Sequence, residues 1–78
     1  MENIITSRFG FRDIFQDNYD GSLSPKRDIS INGITFGPSV SFQKGVFFGG
    51  IDLHLYKYKD IAAHEDNGGV LVIDGFYE

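Results

Sequence analysis

Two histidines and several neighbouring acidic residues have the chemistry of metal ligands or of an acid–base pair. They are Asp52, His54, His64, Glu65 and Asp66. On a strand, the spacing of Asp52 and His54 places both side chains on one face, where they could chelate a metal or exchange a proton. Only these two histidines are present, however, and His64 belongs to a different predicted hairpin. We therefore expect half-buried or surface histidines, and we predict no metal site, no cofactor and no catalytic constellation.

The segment Ser7-Arg8-Phe9-Gly10-Phe11 resembles the core of an RNA-recognition signature, in which aromatic side chains on a sheet stack bases. In that module the motif lies on an inner strand and the domain also contains two helices. Here the motif begins the chain. We interpret it as a strand with an outward-facing Arg8.

The segment Asp17-Asn18-Tyr19-Asp20-Gly21 resembles part of a calcium-binding loop. Placing Gly21 at the sixth position of such a loop puts Gln16 and Arg27 at positions that require acidic ligands. The motif therefore fails, and these residues are predicted to form Asx-type turns.

Aromatic residues outside the predicted core are typical of protein interfaces. On a strand over residues 51–58, the alternation places polar and tyrosine side chains opposite Ile51, Leu53 and Leu55. Phe47 interrupts the alternation of its neighbours, and two aromatic residues end the chain. The alternative is a sheet covered on both sides, with these residues in the core. The predicted partner-binding residues are Asp52, His54, Tyr56, Tyr58, Phe47, Phe76 and Tyr77.

The middle of the chain has a six-residue rhythm that predicts short strands. It consists of Ile34-Thr35-Phe36, Val40-Ser41-Phe42 and Val46-Phe47-Phe48, separated by Gly, Pro and small polar residues. Hexad repeats also build β-helices, but these repeats make only a single coil, too few to bury a solenoid core. We predict an all-β fold: a small antiparallel meander, forming a sheet or a partly open barrel of short hairpins. The alternative is a single coil of β-helix.

Two Asn-Gly pairs predict hairpin turns, since Asn and Gly both tolerate positive φ. The first, at residues 32–33, places Ile31 opposite Ile34 and Ile29 opposite Phe36. The second, at residues 67–68, places His64 opposite Leu71 and Ala62 opposite Ile73. A further reversal is predicted at residues 43–45, with Val46 returning beside Phe42. The apolar run 70–73 predicts a central strand.

The start of the chain predicts a strand over residues 4–11, with a short helical turn within 11–19 as an alternative for the residues that follow. A loop is predicted over 18–26. The predicted core contains the apolar side chains that share one face of each predicted strand: Ile29, Ile31, Ile34, Phe36, Val40, Phe42, Val46, Phe48, Leu53, Leu55, Leu71 and Ile73.

The 78 residues predict a single domain, 1–78, with a net charge of −4 and a pI of about 4.9. This acidity argues against direct nucleic-acid binding, which needs clustered Lys and Arg. The chain has no cysteine and no apolar run long enough for a membrane span. No signal peptide is visible. We expect a soluble, cytoplasmic protein that gains stability by association.

These properties predict a small protein-binding module, an inhibitor or adaptor that occupies a partner's surface, with a homodimer as the expected form of self-association. The alternative is a small-molecule-binding or enzymatic domain. Its site would lie at a dimer cleft lined by Asp52, His54, Tyr56 and Tyr58.

Overall fold

The computed structural model describes residues 6–77, which form short strands, one helical turn and one 3-10 turn. The all-β prediction and the N-terminal helical turn are therefore confirmed. In chain order the elements are β1 (Ser7–Phe9), α1 (Phe11–Ile14), β2 (Phe15–Asp17), β3 (Leu23–Pro25), β4 (Ile29–Ile31), β5 (Ile34–Phe36), a 3-10 helix (Leu53–Tyr56), β6 (Ile61–Glu65) and β7 (Leu71–Phe76).

Five of the strands form one open sheet in the order β1-β6-β7-β4-β5, and β2 and β3 form a separate hairpin. β7 lies in the middle of the sheet, as the apolar run 70–73 predicts. All neighbours are antiparallel except β4 and β7, which are parallel. The sheet is therefore mixed, and it does not close into a barrel.

The hairpin at Asn32-Gly33 is confirmed in register and turn type. Ile31 pairs with Ile34, and Ile29 pairs with Phe36. Asn32 and Gly33 have φ values of 50° and 83°, which are the positive values of a type I′ turn.

The hairpin between β6 and β7 exists, but its predicted register is wrong by one residue. His64 pairs with Val72, and Leu71 pairs with Glu65. The turn is longer than predicted because Gly69, with φ of 82°, takes the left-handed position. A slip of one residue exchanges the two faces of a strand. Ala63 consequently points into the core, and His64 lies on the opposite face.

The strand predicted over 51–58 is wrong. Its middle is the 3-10 helix, and the Asp52 side chain accepts a hydrogen bond from the backbone N–H of His54 at its start. The predicted turn at residues 43–45 is present, with Gly45 at φ of 80°. Its flanks, however, form only isolated bridges, from Phe42 to Leu23 and from Phe48 to Ile51.

The strand predicted over 4–11 is confirmed over Ser7–Phe9, and its residues 4 and 5 lie outside the described residues. The prediction is wrong at its end, where Gly10 caps α1 and Phe11 begins it. The loop predicted over 18–26 is wrong in part, since it contains β3. β3 pairs with β2, and the backbone N–H of Leu23 donates to the carbonyl of Phe42.

The core lies between one face of the five-stranded sheet and a second layer made by α1, the β2–β3 hairpin and the connection from β5 to β6. Its buried apolar residues are Phe11, Ile14, Phe15, Leu23, Ile29, Ile31, Phe42, Leu53, Ile61, Ala63 and Leu71. The other face of the sheet carries half-buried side chains such as Ala62, His64 and Val72.

The predicted core is only partly observed. Ile29, Ile31, Phe42, Leu53 and Leu71 are buried. Four others pack half-buried against the core: Phe36, Val40, Phe48 and Ile73. The prediction is wrong for the remaining three, Ile34, Val46 and Leu55, which are exposed.

Candidate functional site

A buried carboxylate organises the connection between β5 and β6. Asp52 Oδ2 accepts a hydrogen bond from the backbone N–H of Gly45 at 3.2 Å, and Oδ1 accepts one from that of His54 at 3.1 Å. Because Asp52 is buried, water does not compete with these two backbone N–H groups for its carboxylate oxygens. The carboxylate therefore fixes the turn at residues 43–45 against the first turn of the 3-10 helix.

Each of the two donors is followed by an exposed apolar residue. Val46 follows Gly45 and is 44% exposed, and Leu55 follows His54 and is 69% exposed. Phe47 is 68% exposed, and its ring makes none of the aromatic contacts found within residues 6–77. We call Val46, Phe47 and Leu55 the apolar patch.

The base of the apolar patch is packed against the core. Next to Phe47, the Phe48 ring packs edge-on against Phe42 at 4.6 Å and against Phe36 at 6.0 Å. The Asn32 side chain donates a hydrogen bond to the carbonyl of Gly49. Gly49 has φ of 59°, and a Cβ at this position would lie 2.8 Å from Ile31 Cγ2, so only glycine fits.

The predicted pairing of Asp52 with His54 is structural. His54 Nε2 lies 2.8 Å from the carbonyl oxygen of Phe42, while Asp52 accepts the two backbone hydrogen bonds described above. No group of three or more His, Cys, Asp or Glu side chains within residues 6–77 could hold a metal ion. His64 lies apart from this site, with Nδ1 2.7 Å from Asp74 Oδ2.

A second exposed aromatic residue has many partners within the chain. Tyr58 is 54% exposed, and its hydroxyl donates to Asp17 Oδ2 at 3.3 Å. The Arg12 guanidinium lies 4.8 Å from its ring centre, and Lys57 Nζ lies 5.2 Å from it. Phe11 packs edge-on beneath it at 6.0 Å. We call Arg12, Asp17, Lys57 and Tyr58 the tyrosine cluster.

Contacts within the tyrosine cluster stabilise the charged forms of its ionisable side chains. Lys57 Nζ lies 3.1 Å from Asp17 Oδ1, and this contact lowers the pKa of Asp17 and raises the pKa of Lys57. Contact with Tyr58 raises the pKa of Arg12. Tyr58 also has φ of 68°, a left-handed value that is unusual for a bulky residue. In this conformation the ring contacts Phe11, Arg12 and Lys57.

The other predicted aromatic residues also have partners within the chain. The half-buried Tyr56 stacks on Phe76, with ring centres 4.5 Å apart. The Arg8 guanidinium lies 4.2 Å from the centre of the Tyr77 ring. The four residues predicted on one face of a 51–58 strand therefore do not share one strand face: Asp52, His54, Tyr56 and Tyr58. Asp52, His54 and Phe47 belong to the apolar patch and its support, whereas Tyr56, Tyr58, Phe76 and Tyr77 contact other elements.

Two further predictions concern the segments that resemble an RNA-recognition signature and a calcium-binding loop. Arg8 on β1 is exposed and forms an ion pair with Asp60 at 2.7 Å, so the outward-facing arginine is confirmed. Asp20 Oδ1 accepts hydrogen bonds from the backbone N–H and the hydroxyl of Ser22, which confirms the predicted Asx-type turn at this position. These hydrogen bonds from Ser22 lower the pKa of Asp20.

Sequence reasoning missed Val46 and Leu55, because both were assigned to the core by parity. The available signal was Asp52 two residues before His54, a spacing that suits a side-chain cap at a turn as well as a strand face.

Comparison with models of known families, with curated proteins and with solved structures finds no match to this chain. Within the described part of the chain, no helix has the length and apolar character needed to cross a membrane.

Proposed function

We propose that this protein is a binding module that recognises a partner protein through the apolar patch. The observation that carries the proposal is the exposure of Val46, Phe47 and Leu55 on a segment fixed by the buried Asp52 carboxylate. The module would act as an inhibitor or adaptor by occupying its partner's surface. A cysteine-free chain suits a reducing compartment, and we propose that it acts in the cytoplasm.

The exposed side chains are large enough to contribute substantially to binding. Burying a fully exposed Phe or Leu side chain is worth roughly 1.5–3 kcal/mol. Ordering a flexible loop would offset this gain. Here the hydrogen bonds to Asp52 and the aromatic packing of Phe48 already order the segment.

The charge next to the apolar patch favours a partner of complementary chemistry. Lys44 is the only charged residue between positions 29 and 51, and it directly precedes Gly45. A complementary partner presents an apolar hollow for Phe47 and Leu55, with a carboxylate at its edge near Lys44.

The proposal is tested by photo-crosslinking and capture in cells of the native host. Three versions of the chain are compared: the wild type, the double variant Phe47→Ser/Leu55→Ser, and the control Tyr58→Ser. The control also removes an exposed aromatic ring, but outside the apolar patch. The captured protein is then purified and its affinity for each version is measured by calorimetry.

We expect one protein to be captured by the wild type and by Tyr58→Ser, and to bind the double variant at least tenfold more weakly. Circular dichroism and thermal melting should show that the double variant is folded, since both of its side chains are mostly exposed in the wild type. Equal affinity of the folded double variant would contradict the proposal.

A further inference from the structure

β5 is one edge of the five-stranded sheet, and its outer side offers backbone hydrogen-bonding groups. In a two-residue hairpin, the residues that flank the turn exchange both backbone hydrogen bonds, and such pairs alternate along the ladder. Ile31 and Ile34 form one such pair, and Ile29 and Phe36 form the next. The N–H and C=O of Thr35, which lies between them, therefore point away from β4. Thr35 is exposed.

Natural proteins prevent edge strands from pairing with very short strands, charged side chains, bulges or proline within the strand. β5 is short, with three residues, but it lacks the other three features. No charged residue occurs anywhere from Ile29 to Gln43. At the opposite edge, β1 carries Arg8, which is paired with Asp60 and packed on Tyr77.

The charge distribution favours a second copy of the same chain at this edge. Two copies with a net charge of −4 each repel one another. Residues 29–43 carry no charge and add nothing to this repulsion, although the Asp28 carboxylate lies beside Gly37, just after β5. If a two-fold axis passes beside Thr35, the outward N–H of Thr35 in each copy donates to the outward C=O of Thr35 in the other. One symmetric contact therefore pairs the outward groups of both copies.

We propose that two copies associate by antiparallel pairing of β5 with β5, in the register that places Thr35 opposite Thr35 of the second copy. The two five-stranded sheets then form one ten-stranded sheet. In this register Ile34, which is 51% exposed, lies opposite the half-buried Phe36 of the second copy, on the same face. The pairing therefore covers an apolar side chain that the monomer leaves exposed.

The dimer goes beyond the proposed function, because it uses the backbone edge of β5 and not the side chains of Val46, Phe47 and Leu55. An edge of three residues buries less area than a standard interface, so we expect a dissociation constant of roughly micromolar order. The dimer would present two apolar patches, and a partner with two matching sites would bind it more tightly than it binds the monomer.

The test is sedimentation equilibrium of the purified full chain over a range from about 1 to 500 micromolar, a span chosen around the expected dissociation constant. Thr35→Pro removes the outward N–H while leaving the hydrogen bonds from β4 to Ile34 and Phe36 in place. Ile34→Lys adds a charge to each copy at the interface. The matched control Thr35→Val keeps the backbone N–H and the branched side chain.

We expect the wild type and Thr35→Val to dimerise, and Thr35→Pro and Ile34→Lys to dimerise at least tenfold more weakly while retaining the wild-type circular dichroism spectrum. If Thr35→Pro does not fold, the dimerisation of Ile34→Lys tests the β5–β5 pairing. A wild type that stays monomeric throughout, or a folded Ile34→Lys that dimerises like the wild type, would overturn the proposal. Phe47→Ser/Leu55→Ser should dimerise normally, so failure of the apolar patch and failure of the β5 edge give different results.

Discussion

The apolar patch and the tyrosine cluster both expose an aromatic ring, but they differ in what surrounds it. Phe47 and Tyr58 are 68% and 54% exposed. Tyr58 contacts Phe11, Arg12, Lys57 and Asp17, whereas Phe47 makes none of the aromatic or cation–ring contacts found within residues 6–77. Exposure alone therefore does not identify a binding surface. An exposed ring held by intramolecular contacts can serve the fold, whereas one without aromatic or cation–ring contacts on a well-packed base is the better candidate for a partner contact.

The largest effect is expected from Gly49→Ala, which disturbs the base of the apolar patch. The added Cβ would lie 2.9 Å from the carbonyl oxygen of Ile31, and the residue would have to keep a left-handed conformation. Left-handed strain of about 1–2 kcal/mol and steric overlap of about 1–3 kcal/mol should together lower the free energy of unfolding by roughly 2–5 kcal/mol. Urea denaturation measures this loss.

Gly50→Ala is the matched control for that substitution. Gly50 also has a positive φ, of 85°, but its nearest neighbour lies 3.8 Å from an added Cβ. Only the strain of about 1–2 kcal/mol should remain. Equal losses at the two positions would show that Gly49 does not contact Ile31 closely.

A smaller and local effect is expected from Asp52→Ala. This change leaves the backbone N–H groups of Gly45 and His54 without their acceptor, at a cost of about 1–3 kcal/mol. Asp52→Asn keeps one acceptor oxygen and should lose less stability. Hydrogen exchange should accelerate at Gly45 and His54 in Asp52→Ala, but not at Tyr58. Uniform acceleration at all three amides would contradict a local role for Asp52.

The tyrosine cluster should respond to pH through Asp17. Lys57 lowers the pKa of this carboxyl below its ordinary value of 3.8, so the ion pair stabilises the fold above that value. This contribution is lost as the pH falls below 3.8 and through the native pKa. NMR titration of the Asp17 carboxyl carbon should show the low pKa, and Lys57→Met should raise it. An unchanged pKa in Lys57→Met would show that the ion pair does not form in solution.

The smallest effect is expected from Tyr58→Phe, which removes the hydroxyl that donates to Asp17 but keeps the ring between Arg12 and Lys57. The pKa of Asp17 should rise less than in Lys57→Met, because Lys57 is the larger cause of its lowering. The same NMR titration compares the two variants. A larger rise in Tyr58→Phe would reverse the order of the two contacts.

Local turn chemistry was the most predictable part of the fold. Asn32-Gly33 determines its own type I′ turn, and this turn determines the register of β4 and β5. At Asn67, two glycines follow in succession, and Gly69 takes the left-handed position of the turn. The longer turn shifted the register of β6 and changed which of its faces is buried. The sequence pattern alone did not determine this register.

One long-range strand pairing and one side-chain cap determined the parts of the fold that were predicted wrongly. The parallel pairing of β4 with β7 joins segments far apart in sequence and has no local signal. In the segment 52–58 the alternation suited a strand, but hydrogen bonds from Gly45 and His54 to Asp52 favour a 3-10 turn instead. The candidate site was consequently predicted in part: Phe47 was identified as outward-facing, whereas Val46 and Leu55 were placed in the core.

Partner binding by the apolar patch is tested most directly by photo-crosslinking in the native host from a benzophenone side chain placed at position 47 or at position 58. We expect a discrete adduct with a different protein from position 47, its loss when Leu55→Ser is added, and no such adduct from position 58. The absence of any protein adduct at position 47, or the same adduct at both positions, would contradict a partner-binding role for the apolar patch.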